Sequence, residues 1–99
     1  MGKLVRDRIP EMIRNSGRVA STRILTEDEY LDALLMKLIE EAEEAKKSPP
    51  ELLLEELADL TEVTYALLEY LSVSLDELEI VRLEKSRNRG GFSKRIWLD

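Results

Sequence analysis

Two leucine-rich stretches of helical period meet at Ser48-Pro49-Pro50, and this junction constrains the chain more than any other feature. Before it, Tyr30, Leu31, Leu34, Leu35, Leu38, Ala42 and Ala45 recur with the 3.6-residue spacing of one helix face. After it, Leu53, Leu57, Leu60, Thr64, Leu67 and Leu71 do the same. Two consecutive prolines lack amide donors and push the preceding residue out of helical geometry. The connection is short, so the two helices must run antiparallel and side by side. Three Ser/Thr-x-x-Glu pairs, Thr26 with Glu29, Ser48 with Glu51 and Ser74 with Glu77, read as capping boxes. They predict helices opening near Glu27, just past Ser48 with Pro50 in the first turn, and after Ser74 through Leu78 and Val81 toward Lys85.

An earlier helix is expected in "LVRDRIPEMIRNSG", with Pro10 in its first turn and Gly17 as its stop. Residues 18–25 read as a short strand or an extended arm, and the tail "FSKRIWLD" after Gly90-Gly91 as a strand. The fold class is therefore all-α: an antiparallel hairpin plus two shorter helices, in one domain spanning residues 1–99. Leu52, Leu53 and Leu54, with Leu67 and Leu68, spread apolar groups over more than half of the third helix's circumference. So wide an arc wants more than one partner. A four-helix-bundle-like core completed by homodimerisation, or by a higher assembly, is expected.

Absent residues exclude much. The chain has no Cys and no His, which removes disulfides, thiolate nucleophiles, His-based triads and imidazole metal sites. Acid–base chemistry is left to Asp, Glu, Lys, Tyr or water, and any bound metal to oxygen donors. No apolar run approaches a membrane span and the start lacks a signal-peptide core, so a cytoplasmic protein without membrane partners is expected. The net charge of −6 is unevenly spread. Residues 1–26 hold six basic and two acidic residues, and residues 27–62 hold three basic and thirteen acidic ones. An acidic middle between basic ends offers duplex nucleic acid no coherent basic face.

Each residue turns a helix by about 100°, which sorts the acids of "KLIEEAEEAKK" and "EELADL" by face. Glu41 falls about 20° from Leu34, at the edge of the apolar stripe, with Glu44 a step further out. Glu40 lies further still and Glu43 points away. On the following helix Glu56 falls inside the stripe and Asp59 at its edge, whereas Glu55 and Glu62 point outward. Glu41, Glu44, Glu56 and Asp59 thus flank the core as two i, i+3 pairs. Carboxylates gathered there must be protonated, paired with Lys or Arg, or bound to a cation, because repulsion and desolvation penalise each. The alternative is the ordinary one, a pair of solvated acidic faces.

These residues also resemble a known signature. "KLIEEAEEAKK" followed by "EELADL" is similar to the Glu-x-x-Glu…Glu-x-x-Asp pattern of the all-α nucleoside triphosphate pyrophosphatases, which include the MazG proteins, the dimeric dUTPases and the phosphoribosyl-ATP pyrophosphohydrolases. The opening "KLVRDRIPEMI" and closing "KSRNRGGF" resemble a group of short MazG-like proteins. The resemblance implies Mg²⁺, or Mn²⁺, held by Glu41, Glu44, Glu56 and Asp59. It implies that Glu41 or Glu44 activates water and that Lys85, Asn88 and Arg89 contact phosphate. Arg6 falls in the resembling N-terminal wording and could pair with the acidic cluster.

The activity so implied is Mg-dependent hydrolysis of a canonical or modified nucleoside triphosphate to the monophosphate and pyrophosphate, a house-cleaning reaction. The N-terminal region differs from that of histidine-pathway enzymes, which turns the expectation toward a generic or modified nucleotide. No Walker A sequence is present, which excludes a P-loop route to similar chemistry. The competing reading is a helical interaction or nucleotide-binding regulatory module without hydrolytic activity.

Overall fold

A computed structural model describes residues 2–99. It contains four α-helices, α1 (Ile9–Asn15), α2 (Glu27–Lys47), α3 (Leu53–Leu71) and α4 (Leu75–Arg89), with a 3₁₀ turn at Pro50–Leu52 before α3. There is no strand among the described residues, so the all-α class stands and both candidate strands, 18–25 and 92–99, are instead irregular or turn backbone. The chain divides into two compact units, one ending at Leu67 and one beginning at Leu68, with the division inside the continuous helix α3.

Helix α1 ends as its sequence requires. Gly17 has φ +86°, and its N–H donates to Arg14 O while that of Arg18 donates to Ile13 O. That pair of bonds closes a Schellman motif around a left-handed residue. Thr26 caps α2 by accepting from the Glu29 N–H, and the Glu29 carboxylate accepts in return from the Thr26 N–H. Ser74 and Glu77 form the same reciprocal cap on α4.

The capping box expected at Ser48 and Glu51 does not form. Ser48 instead closes α2, its hydroxyl donating to the Ala45 carbonyl. Pro49 precedes the 3₁₀ turn and contributes no side-chain cap. The second proline lacks an N–H, so the chain tightens through Pro50–Leu52 and α3 begins only at Leu53.

The buried face of α2 is also rotated from the expected stripe. Leu34 is buried and Leu31, Leu38 and Ala45 are half-buried, but Leu35 and Ala42 face solvent. Lys37 and Glu41 take the places beside Leu34. Within the first unit α3 contributes buried Val63, with Leu60, Thr64 and Leu67 half-buried. In the second unit Leu68 is the buried residue.

Candidate functional site

Glu41 lies near the C-terminal end of α2, and Glu56 and Asp59 lie in the first two turns of α3. They approach because the hairpin runs antiparallel, bringing the end of one helix beside the start of the next. One carboxylate oxygen from each lies within 4.8 Å of the other two, and all three residues are half-buried. Residues 41, 56 and 59 therefore form an acidic trio that draws on both arms of the hairpin.

Glu44 is not part of this group. It is exposed, one turn beyond Glu41. The angular step that placed it further out on the wheel carries its carboxylate past the edge of the contact. Glu43, Glu55 and Glu62 are exposed as their faces predict.

Two cations balance the trio. The Arg6 guanidinium donates from Nη2 to Asp59 Oδ1 at 2.7 Å, joining residues 53 positions apart. Lys37 lies four residues before Glu41 and is only 18% exposed; its Nζ is 3.2 Å from Glu40 Oε2 and 3.9 Å from Glu41 Oε1. Glu56 has no ion pair among the described residues. Burial raises the Glu41 carboxyl above its ordinary value of 4.5, and the nearby charges of Asp59, Glu40 and Glu56 push the same way against the pull of Lys37.

Lys37 is the site residue that the sequence reading did not single out. Its signal was present: it stands at i−4 from Glu41, on the side of the helix that carries Leu34. A lysine can lie along an apolar face because its stem packs while its ammonium reaches the edge.

Lys85, Asn88 and Arg89 are exposed on the last turns of α4, within the second unit, and make no ion pair among the described residues. Lys85 and Arg89 share a helix face at i, i+4. In the first unit, an open apolar groove of about 450 Å³ is lined by Val5, Ile9, Met12 and Ile13, with Lys3 and Arg18 beside them. It contains none of the candidate site residues. Among the described residues no helix is long and apolar enough to cross a membrane.

No family model matches the chain, and no solved structure matches it. A protein of Mycolicibacterium smegmatis, described as uncharacterized, is 56% identical over 46 residues, which cover 46% of this chain and 47% of that protein. The match thus spans about half of that relative's length.

Proposed function

We propose that the chain is a Mg²⁺-dependent nucleoside triphosphate pyrophosphohydrolase of the MazG-like kind, releasing monophosphate and pyrophosphate. The observation that carries this reading is the acidic trio: Glu41, Glu56 and Asp59 bring oxygens within 4.8 Å of one another across two helices. Hard carboxylate oxygens favour hard divalent ions such as Mg²⁺ and Mn²⁺. The Glu41 carboxyl, raised first by burial and then by the charges of Asp59, Glu40 and Glu56, is consistent with this reading, since a divalent cation would offset both.

In this reading Glu41, Glu56 and Asp59 would hold the ion, and Glu44, outside the trio, would not. The ion supplies neutralisation of phosphate charge and acidification of a water molecule. Glu41 would orient or deprotonate the attacking water, with Glu44 the alternate base. Lys37 fixes the Glu41 carboxylate from the previous turn. The resemblance also gives a phosphate-contacting role to Lys85, Asn88 and Arg89, which belong to the second unit.

The active form in this proposal is a homodimer or a higher homo-oligomer. Leu35, Met36 and Ile39 on α2 and Leu53, Leu54 and Leu57 on α3 are exposed, and burying them against a second copy completes the helical core. The same exposed residues support the second reading, a helical interaction module without hydrolysis.

Incubation with a panel of canonical and modified nucleoside triphosphates plus Mg²⁺, followed by chromatography, separates the two. Monophosphate with pyrophosphate is the expected product. Orthophosphate, or no turnover across the panel, rejects the enzyme.

A further inference from the structure

The segment after α4 holds the chain's one Trp and its one Phe, and both stand in solvent. Phe92 is 98% exposed and Trp97 87%, with Ile96 and Leu98 exposed beside them. Gly90, at φ +80°, closes α4, and a turn follows in which the Arg95 N–H donates to Phe92 O. Lys94 and Arg95 stand between the apolar residues and make no ion pair among the described residues. Large apolar side chains gathered on an open segment mark a surface that another molecule covers.

Helix α2 carries a surface that matches. At about 100° per residue, Asp28, Asp32, Leu35, Met36 and Ile39 fall within one arc about 100° wide, and all five are exposed. Neither aspartate has an ion pair among the described residues. Charge and apolar groups follow in the same order on both segments. Asp28 and Asp32 precede Leu35, Met36 and Ile39; Lys94 and Arg95 precede Ile96, Trp97 and Leu98. The lengths match as well. From Asp32 to Ile39 a helix rises about 10 Å, and from Arg95 to Leu98 an extended chain covers about 10 Å.

We propose that segment 92–98 of one copy docks on this α2 strip of a second copy, with Arg95 toward Asp32 and Trp97 across Leu35, Met36 and Ile39. The inference rests on the homo-oligomer proposed above, names a contact that builds it, and requires neither the metal nor hydrolysis. Opposite charges meet at one end of the strip and apolar groups at the other, so register and direction are both set. A single strand of nucleic acid would satisfy the cations and stack on Trp97, but would leave Ile96 and Leu98 without apolar cover.

The chain lacks Cys, so a nitroxide attached at Ser93→Cys sits at one known place. Spin-labelled copies are mixed with ¹⁵N-labelled wild type, and the mass is read by light scattering. The amide signals of residues 32–39 should broaden, and those of α1 should not. An oligomer without broadening on α2 overturns the contact and leaves the oligomer standing. A monomer overturns both. With nitroxide and ¹⁵N on one chain diluted into excess unlabelled protein, broadening of α2 also overturns the contact, because the segment then folds onto its own chain. Trp97 emission that shifts on adding a single-stranded oligonucleotide, but not on concentrating the protein, overturns it in favour of nucleic acid. Charge exchange tests the register through two exposed positions. Arg95→Glu and Asp32→Arg should each weaken association about three- to tenfold, and both in one chain should restore it to within about twofold of wild type. Weakening without that recovery overturns the docking.

Discussion

Lys37 and Glu41 stand one turn apart on α2 with Nζ 3.9 Å from Oε1, and their side chains are only 18% and 15% exposed. A pair this shielded gains more from Coulomb attraction than a surface pair, yet each charge also costs more to desolvate. For Glu41 the desolvation wins, and its carboxyl is raised above 4.5.

That direction fixes a pH dependence. A carboxyl raised on folding binds protons more readily in the native state, so its favourable contribution is complete below its unfolded value near 4.5 and is lost as pH rises toward the folded value. Glu41→Gln removes this loss, and Lys37 keeps Glu40 at 3.2 Å as a partner. Without divalent ions, the unfolding free energy of Glu41→Gln relative to wild type should therefore grow in the variant's favour from about pH 4 to about pH 7. Urea unfolding across that range checks it; a difference independent of pH rejects the raised carboxyl. With Mg²⁺ present the same variant should lose activity by about 10²-fold or more.

Ion addition should stabilise the fold. At about a hundredfold excess over its dissociation constant, Mg²⁺ contributes ~2.7 kcal/mol, which for a chain of 99 residues corresponds to a rise in Tm of roughly 10–20 °C. Glu56→Gln should abolish that rise because Glu56 is one of the trio. Glu44→Gln should retain most of it, since Glu44 stands outside the trio. Thermal unfolding with and without Mg²⁺ measures both, and an equal loss in the two variants would place Glu44 among the principal ligands.

The exposed apolar face of the hairpin carries a separate expectation. Light scattering at micromolar concentration should return at least twice the chain mass of 11.4 kDa. Ile39→Glu places a charge on a residue that is 60% exposed in the single chain. On a free surface such a change stays within about ±0.5 kcal/mol; across an interface between copies it should dissociate them. A wild-type monomer sinks the homo-oligomer outright.

Much of this arrangement was legible in the sequence because the signals are local. Gly17, Thr26 and Ser74 each act through bonds to residues within a turn or so, and a pattern in sequence order captures that. Glu41, Glu56 and Asp59 were legible because a hairpin with a short connection leaves two helices little freedom except to lie antiparallel. The rotation of α2 was not. Which of the Leu35 and Lys37 sides, about 160° apart, turns inward depends on how α3 meets the helix, and periodicity alone averages over it. A wheel also treats Lys37 as outward by type, whereas its stem can pack beside Leu34. The Arg6–Asp59 pair is the opposite case: its partners are 53 residues apart, and only the fold brings them together.

The three Ser/Thr-x-x-Glu patterns look alike in sequence and should separate by mutation. Thr26 accepts from the Glu29 N–H, so Thr26→Ala leaves that donor without its cap and should cost about 1 kcal/mol. Ser48 closes α2 by donating to Ala45 O and caps nothing after it. Ser48→Ala should stay within about 0.5 kcal/mol, the range of ordinary surface changes. Urea midpoints of the two variants decide it, and equal losses would mean that Ser48 does cap the turn before α3.

Helix α3 ends on the same two-bond pattern as α1, with Val73 N–H donating to Leu68 O and Ser72 N–H to Glu69 O. The left-handed position is here filled by Ser72 at φ +56°. A Cβ in that region crowds the following carbonyl and costs roughly 1–2 kcal/mol, a penalty glycine escapes. Glycine also gives the unfolded chain more freedom, which returns roughly 0.5–1 kcal/mol of the gain. Ser72→Gly should therefore stabilise the protein by up to about 1 kcal/mol, seen as a Tm increase of about 4–8 °C at the upper limit. Ser72→Val, with a branched Cβ in the same left-handed position, should destabilise it. If both variants melt with wild type, the end of α3 does not hold Ser72 in this conformation in solution.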